Sequence, residues 1–552
     1  MSEKPISQHI FIFPFRWNIK GKRGPKQITD LTKINIDCTR AKTKNDYSGK
    51  WVRSPYQLDN ELNYNEYQYF HDFVRKAIYD EGEKRKHPVF RHYEYNCDEK
   101  MFFCIEASKS YRLEITDVLL NFYETGVGVL SFHLINYAHP GQDEILEINQ
   151  KGRRIFPPFL VNSTSANDFA ALESVMPKEV SIEIACKNEV NHVTENFKKF
   201  FNKKDLIDLK PELYIPDHLR YFLNFDYLNM QIQPVIDERM YVICWYANSK
   251  LRDELFPKGG DLNFLNMKYP YWHQYLFVDG QLNCSHQSMF EDLTDRHTYK
   301  RWLGEGTIYG VTRYSFMCLT TDNAPDYIST HVMHHYYKMA ELCLVQRASL
   351  LVFSDRVTNV SSIEDKDTPK KIKDIYKDYI RFVNKLFFRE ITPQEQGIEL
   401  YDLFQKNMAI PANVKDLDAE IEELHRYSTM LVEQQQTEIV SRLSFIATIF
   451  AIGAFVTGFY GMNIFDGNNL ANNGQWHLGV ITMLLIFCPL LIGLGYYVVS
   501  LSNKKKIAVE IAQFFWNGIF ILVYIVIIGF LLIAGYWVTM MPIERTSMLN
   551  YF

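Results

Sequence analysis

From Leu443 to Phe465 the chain carries no charged side chain, and that run is the strongest single limit on its fold. A helix rising about 1.5 Å per residue over such a length crosses a hydrocarbon core of about 30 Å, so a membrane helix is expected at 443–463. A plain anchor would need bulk hydrophobicity alone. Here Ser444, Ala447, Ala451, Ala454 and Gly458 recur at alternating three- and four-residue spacing, which gathers them on one helical face. Small residues on one face let identical helices approach closely, or leave a lumen when several surround an axis. The run passes Tyr460-Gly461-Met462-Asn463, a polar exit from the bilayer.

Ahead of it, Val414, Leu417, Ile421, Leu424 and Leu431 mark a helical seam, since apolar residues three and four apart share a helix face. An unbroken helix is expected from Asn413 to Asn463, about 75 Å long, with 412–442 as a stalk. Ser428 and Gln435 interrupt the seam where a wet lumen would suit them better than a dry coiled coil. The plainer alternative is an amphipathic helix lying against its own domain.

Beyond Asn463, the loop 464–477 contains no Lys or Arg, a second apolar span covers 478–500, and Lys504-Lys505-Lys506 follow it. Basic residues mark the cytoplasmic side, so the loop is expected outside and the lysines inside. A third apolar stretch, 511–540, is also long enough to cross. Three crossings would leave 543–552 outside. The first residues, Met-Ser-Glu-Lys-Pro-Ile-Ser-Gln, lack the basic and apolar parts of a secretory signal, so the body ahead of the membrane is expected in the cytoplasm.

Ile446-Ala-Thr-Ile-Phe and Thr457-Gly-Phe-Tyr followed by Gly461-Met462-Asn463 resemble the signature of CorA-type divalent cation channels. The resemblance covers roughly Thr392 to Ser500. It implies a homo-oligomer in the cell membrane, a pentamer by the family's stoichiometry, with Mg²⁺ or another divalent cation as permeant and regulatory ion and no covalently bound cofactor. It places the selectivity filter at Gly461, Met462 and Asn463, with Asn463 holding the hydrated metal ion. Thr437, Val440, Leu443, Ser444, Ala447, Ala451, Ala454 and Gly458 would line the pore, Val440 and Leu443 closing it by dewetting. Two departures stand out: the third span, and a loop whose one charge is Asp466 where the family often has an acidic motif. In general layout, the large body and third span also resemble the CorA-like effectors of type III CRISPR systems, which respond to adenylate-derived nucleotides. That second reading implies a small nucleotide ligand and a pore that disrupts the membrane.

The 552 residues leave room for two to four structural units. The expected body is an α/β or α+β domain over 1–330, followed by a helical hairpin region over 331–411. Strands are expected at Ile10-Phe-Ile-Phe, Val180–Cys186, Met230–Val235, Met240–Trp245 and Ile308–Leu319. A hairpin is expected over 111–136, closed by Glu124-Thr-Gly-Val-Gly128. Helices are expected over Glu61–Tyr79, Asn191–Phe201 and His331–Asp355, and from Pro369 with the stripe Ile372, Ile375, Tyr379, Val383 and Leu386. Thr392-Pro-Gln-Glu395 reads as a capping box opening a helix that Pro411 ends. Gly304-Glu-Gly-Thr-Ile-Tyr-Gly310 precedes a strand rather than a helix and reads as a turn, not a phosphate cradle.

His331 and His335 lie four apart, as a metal face would require, but with no acidic or cysteine partner near in sequence they read as core histidines. Asp402, Asp416, Asp418, Glu420, Glu422 and Glu423 make the upper stalk acidic, a solvated face that could also draw cations. The nine cysteines, with no Cys-x-x-Cys pair, suit reduced buried thiols. A net charge of -5 without a basic stripe argues against nucleic acid as a partner. No nucleophile elbow, Walker loop, zinc-protease helix or kinase set occurs, so no enzyme is expected. Aromatic residues at 15% favour a large packed core.

Overall fold

The computed structural model describes residues 4–21, 24–28, 31–34, 36, 50–82, 88–156, 174–185, 190–201, 214–225, 228–257, 262–281, 284–361 and 368–461. Met462, Asn463, the loop 464–477 and the spans expected at 478–500 and 511–540 lie outside them. The chain divides into two units, Met1–Thr429 and Met430–Phe552.

The first unit is organised by one sheet. Its strands are β1 (Ser7–Gly21), β2 (Gly24–Ile28), β3 (Lys50–Arg53), β4 (Phe90–Asn96), β5 (Met101–Glu106), β6 (Ser110–Tyr123) and β7 (Val127–Asn136). They continue with β8 (Glu179–Ala185), β9 (Val190–Asn196), β10 (Met230–Pro234), β11 (Tyr241–Ala247), β12 (Thr298–Tyr299), β13 (Ile308–Val311) and β14 (Ser315–Thr320). The main path runs β12-β13-β14-β11-β1-β7-β6-β5-β8-β9, with β10 and β2 also on β1, and β3 reaching β6 through β4. Among the described pairings β11 with β14 is parallel and the others are antiparallel.

β1 sits in the middle because both of its faces are apolar. Phe11, Phe13, Phe15 and Trp17 enter one core, while Ile10 and Ile12 enter the other, the period of two that a strand imposes. Helices α1 (Glu61–Tyr69), α2 (Asp72–Ile78), α3 (Gln142–Gly152), α4 (Asp217–Leu223), α5 (Ser249–Leu255), α6 (Tyr271–Phe277) and α7 (Gln287–Arg296) come before β12. After β14 follow α8 (Asp326–His331), a π-turn (Val332–Tyr336), α9 (Tyr337–Ser361), α10 (Thr368–Lys385), α11 (Glu395–Asn407) and α12 (Ile410–Gly461). Ile145 of α3, Leu219 of α4 and Trp272 of α6 cover the face of Phe11. Met339 of α9, Tyr379 of α10 and Tyr401 of α11 cover the face of Ile10. Each such side chain contributes roughly 1.5–3 kcal/mol on burial, which is why the helices lie where the two apolar faces need them.

The expected hairpin forms as β6 and β7, with Gly126 at φ +83 making the turn. Gly128 lies inside β7 rather than in that turn. Of Gly304–Gly310, expected as a turn, the first part is one, a short 3-10 turn over Leu303–Glu305 followed by Gly306 at φ +80, and Ile308–Gly310 already belong to β13. Four expectations need correction. Glu61–Tyr79 is two helices, because Phe70 is extended (φ -104, ψ 149) and the His71 N–H donates to Ile391 O at 2.9 Å. Ile308–Leu319 is a hairpin, since the Thr312 N–H turns back to Ser315 O at 2.8 Å. Asn191–Phe201 is the strand β9 followed by a 3-10 turn, Phe197–Phe201; its Val193 pairs with Ile182 of β8, whose free edge overrides the helical pattern. The helix expected from His331 begins as a π-turn and runs to Ser361, with Leu351 exposed rather than buried.

Burial also leaves a mark on pH dependence. His133 has Nε2 unpartnered and His218 both ring nitrogens unpartnered among the described residues, and both are buried. Desolvation depresses His133 to about 3 and His218 to about 4. The unfolded imidazole titrates near 6.5, so between these values the unfolded chain binds more protons. Stability present above pH 6.5 is therefore lost as pH falls toward the folded values. The expected loss from His218 is on the order of 2 kcal/mol at pH 5. Urea unfolding at pH 7.5 and pH 5 measures it, and His218→Leu should flatten the dependence; an unchanged slope would count against this account.

Candidate pore helix

α11 ends where Ala409 takes a left-handed conformation (φ +56), and α12 opens at Ile410. Pro411 thus stands in the first turn of α12, where its missing N–H costs nothing, and does not end the preceding helix. The capping box at Thr392–Glu395 is also not formed. Thr392 Oγ1 donates to Tyr69 O and accepts from the Gln394 N–H, and α11 starts at Glu395 with Gln394 before it.

The first part of α12 packs within its own unit. Leu417 and Ile421 are buried in the core shared with α9–α11, and Val414 and Leu424 are partly buried against it. Tyr379 OH donates to Val414 O at 3.1 Å, the rings of Tyr376 and His425 stack at 4.3 Å, and Ser428 Oγ donates to Pro369 O at 3.3 Å. The seam is therefore an intramolecular contact with α10 over 414–428. Ser428 is buried there instead of facing a wet lumen.

Past Met430 the helix continues with its side chains uncovered. Ile439, Val440 and Leu443 are 57%, 62% and 64% exposed and Phe450 is 73% exposed, although each is large and apolar. Thr437 Oγ1 satisfies Glu433 O at 2.8 Å and Thr448 Oγ1 satisfies Ser444 O at 2.8 Å, so both hydroxyls are internally spent. Glu438 and Arg442 pair one turn apart. Ser444, Ala447, Ala451, Ala454 and Gly458 are exposed, and Gly461 is helical and the last of the described residues. Among the described residues no helix is long and apolar enough to cross a membrane. Within the apolar run the side chains at 445, 449, 452, 455–457 and 459–461 lie outside that description.

Of the acidic residues, Asp416, Asp418, Glu420, Glu422 and Glu423 are exposed, and Glu422 pairs with Arg426 at 3.1 Å. Asp402 is raised above the usual carboxylate range by partial burial and by Glu390. Among the described residues no group of three or more His, Cys, Asp or Glu is arranged to hold a metal ion.

Residues 360–504 match the family model described as CorA-like Mg2+ transporter protein. That stretch of the chain is similar to the CorA-like family. The CorA-like region takes in α10, α11 and α12 and leaves the sheet unmatched. No curated protein matches the chain. The family's members are transporters rather than enzymes, by the description of that family.

Outside the CorA-like region, three polar clusters were not legible from sequence spacing. Ser7 Oγ donates to His9 Nε2 at 2.8 Å and His9 Nδ1 donates to Asn149 Oδ1 at 2.7 Å. That is the relay geometry of a nucleophile, base and orienter, but Ser7 and His9 are 0% exposed and Ser7 Oγ also accepts from Asn136 Nδ2 at 2.9 Å. No substrate reaches it, so it serves as a polar clamp between β1, β7 and α3.

The second cluster is cationic. Arg153 is buried at the end of α3 with Nη2 on Val278 O at 2.7 Å, while its Nε and Nη1 have no partner among the described residues. Burial first, then Arg154 and Arg239, hold this guanidinium well below its ordinary range. Arg154 pairs with Glu238 at 3.0 Å, and Arg239 with Asp237. Lys151 and Asp279, on either side, line a cavity of about 510 Å³.

The third surrounds His331 and His335, the two histidines read as core residues. The rings of His331 and His335 meet edge to face at 4.7 Å, and a carboxylate does stand close, brought by α1: Glu66 Oε2 lies 3.6 Å from His334 Nδ1.

Proposed function

We propose that this chain is the subunit of a homo-oligomeric divalent cation channel, with Mg²⁺ as the permeant ion. In that reading α12 lines the pore with Thr437, Val440, Leu443, Ser444, Ala447, Ala451, Ala454 and Gly458, and Gly461, Met462 and Asn463 form the filter. Mg²⁺ dehydrates reluctantly, so carbonyl and amide oxygens that accept it through its water shell are a sensible filter chemistry. The spans at 478–500 and 511–540 form the outer ring, and the sheet unit lies on the cytoplasmic side. The observation that carries the reading is the single helix Ile410–Gly461 inside the CorA-like match, gripped by its own unit at 414–428 and apolar and uncovered from Ile439 onward. An exposed apolar surface of this kind calls for a covering partner or a bilayer.

A second reading, a nucleotide-opened and membrane-disrupting effector, is favoured by Arg153. Unpartnered buried guanidinium N–H groups are the donors a phosphate takes, and Lys151 and Asp279, close to Arg153 and to its acceptor Val278 in the chain, line a cavity. Flux through liposomes carrying the full chain separates the two. Flux that falls as internal Mg²⁺ rises is the expected result for a self-limiting transporter. Flux that rises only with an adenine nucleotide, and is lost in Arg153→Ala, would replace it with the effector. Liposomes that stay tight under both conditions would defeat the channel reading.

A further inference from the structure

We propose that the π-turn Val332–Tyr336 is an acid-releasable joint that holds α1 against the start of α9. A π-turn carries one more residue per turn than an α-helix accommodates and is kept where its altered side-chain directions are used. Here it directs two imidazoles at α1. His334 Nδ1 faces Glu66 Oε2 at 3.6 Å, and the His335 ring stands edge to face on Tyr69 at 4.7 Å. His335 is 3% exposed, and its Nδ1 has no hydrogen-bond partner among the described residues. Glu66 is buried too, accepting from Tyr79 OH at 2.9 Å. Burial works against its charge, and His334 and Lys338 still hold the carboxyl below its usual range.

The groups facing His335 are few. From α1 come Glu66, Tyr69 and the backbone of Asn65, from α8 His331, from its own turn His334, and from α9 Lys338. Glu66 is the one anion among them, and it is already shared by Tyr79, His334 and Lys338. A proton on His335 would put a buried charge beside the His331 ring, 4.7 Å away, and a second proton would set two like charges together. Withdrawal of α1 lets water solvate both rings. Desolvation holds folded His335 near about 4, and burial also lowers His331, so in the closed joint both are neutral at pH 7. The open state binds the extra protons, and acid favours it.

Hydrogen–deuterium exchange of the detergent-extracted full chain, corrected for the chemical exchange rate at each pH, tests the joint. Peptides from 61–69 should exchange on the order of tenfold faster at pH 5 than at pH 7.5, with 110–136 in the sheet still protected. His335→Phe, which cannot take a proton, should remove that difference; should it fail to fold, His335→Gln serves the same comparison. An equal pH response in the variant overturns the proposal, as does a wild-type response absent from 61–69 or matched in 110–136.

Discussion

Asn463→Ala is expected to abolish divalent cation flux while the assembled protein survives extraction and sizing unchanged. The side chain at this position is proposed to offer its amide oxygen to the water shell of a passing ion, and an alanine offers nothing in its place. Flux should fall to the leak of protein-free liposomes loaded with a Mg²⁺ indicator. Gly461→Ala should lower flux as well, since a Cβ narrows the backbone angles open at the exit turn. Normal flux through assembled Asn463→Ala would remove the filter assignment.

Asp80→Ala should be the most damaging single change in the sheet unit, costing roughly 3–5 kcal/mol. The Asp80 side chain is 0% exposed and accepts from Arg53 Nε and Nη2 at 2.9 and 2.8 Å, from Arg91 Nη1 at 3.4 Å and from the Gly82 N–H at 2.9 Å. Arg53 belongs to β3 and Arg91 to β4, so one carboxylate fastens the end of α2 to two strands. Alanine takes this carboxylate away from both guanidinium groups, and that of Arg91 is only 9% exposed. Against a total stability of about 5–15 kcal/mol, that loss should show as a large drop in the urea midpoint of the tryptophan signal. A change below about 1 kcal/mol would mean that water reaches the arginines freely.

The parts of the fold that were legible in the sequence are those governed by local periodicity. The alternation from Leu113 to Ile135, the paired faces of Ile10-Phe-Ile-Phe and the long helix through Val414 all emerged at close to their expected places. What local pattern could not supply was the competition from distant partners. β9 is a strand because β8 has an edge to satisfy, and α1 ends at Tyr69 because the next N–H is claimed by Ile391. Ser428 looked like a lumen residue because Pro369, its acceptor, is 59 positions away. The same holds for the polar clusters: Asp80 with Arg53 and Arg91, Glu66 with His334, and Arg153 with Val278 join residues whose spacing follows no motif. The proposed pore face was visible because all of it lies on one helix.

The position of β1 governs the order in which the protein is made. Its partners β7, β10 and β11 begin at Val127, Met230 and Tyr241, so β1 is made long before the strands that flank its apolar part. At about 5–20 residues per second, Ile10-Phe-Ile-Phe waits roughly 10–40 s for β11 to cover its second edge. During that wait it is the segment of the chain most in need of a chaperone. The apolar run at Leu443 emerges only after β14 has been made, so the sheet can close before that run appears. A deletion within Ser7–Gly21 therefore acts on the centre of the sheet.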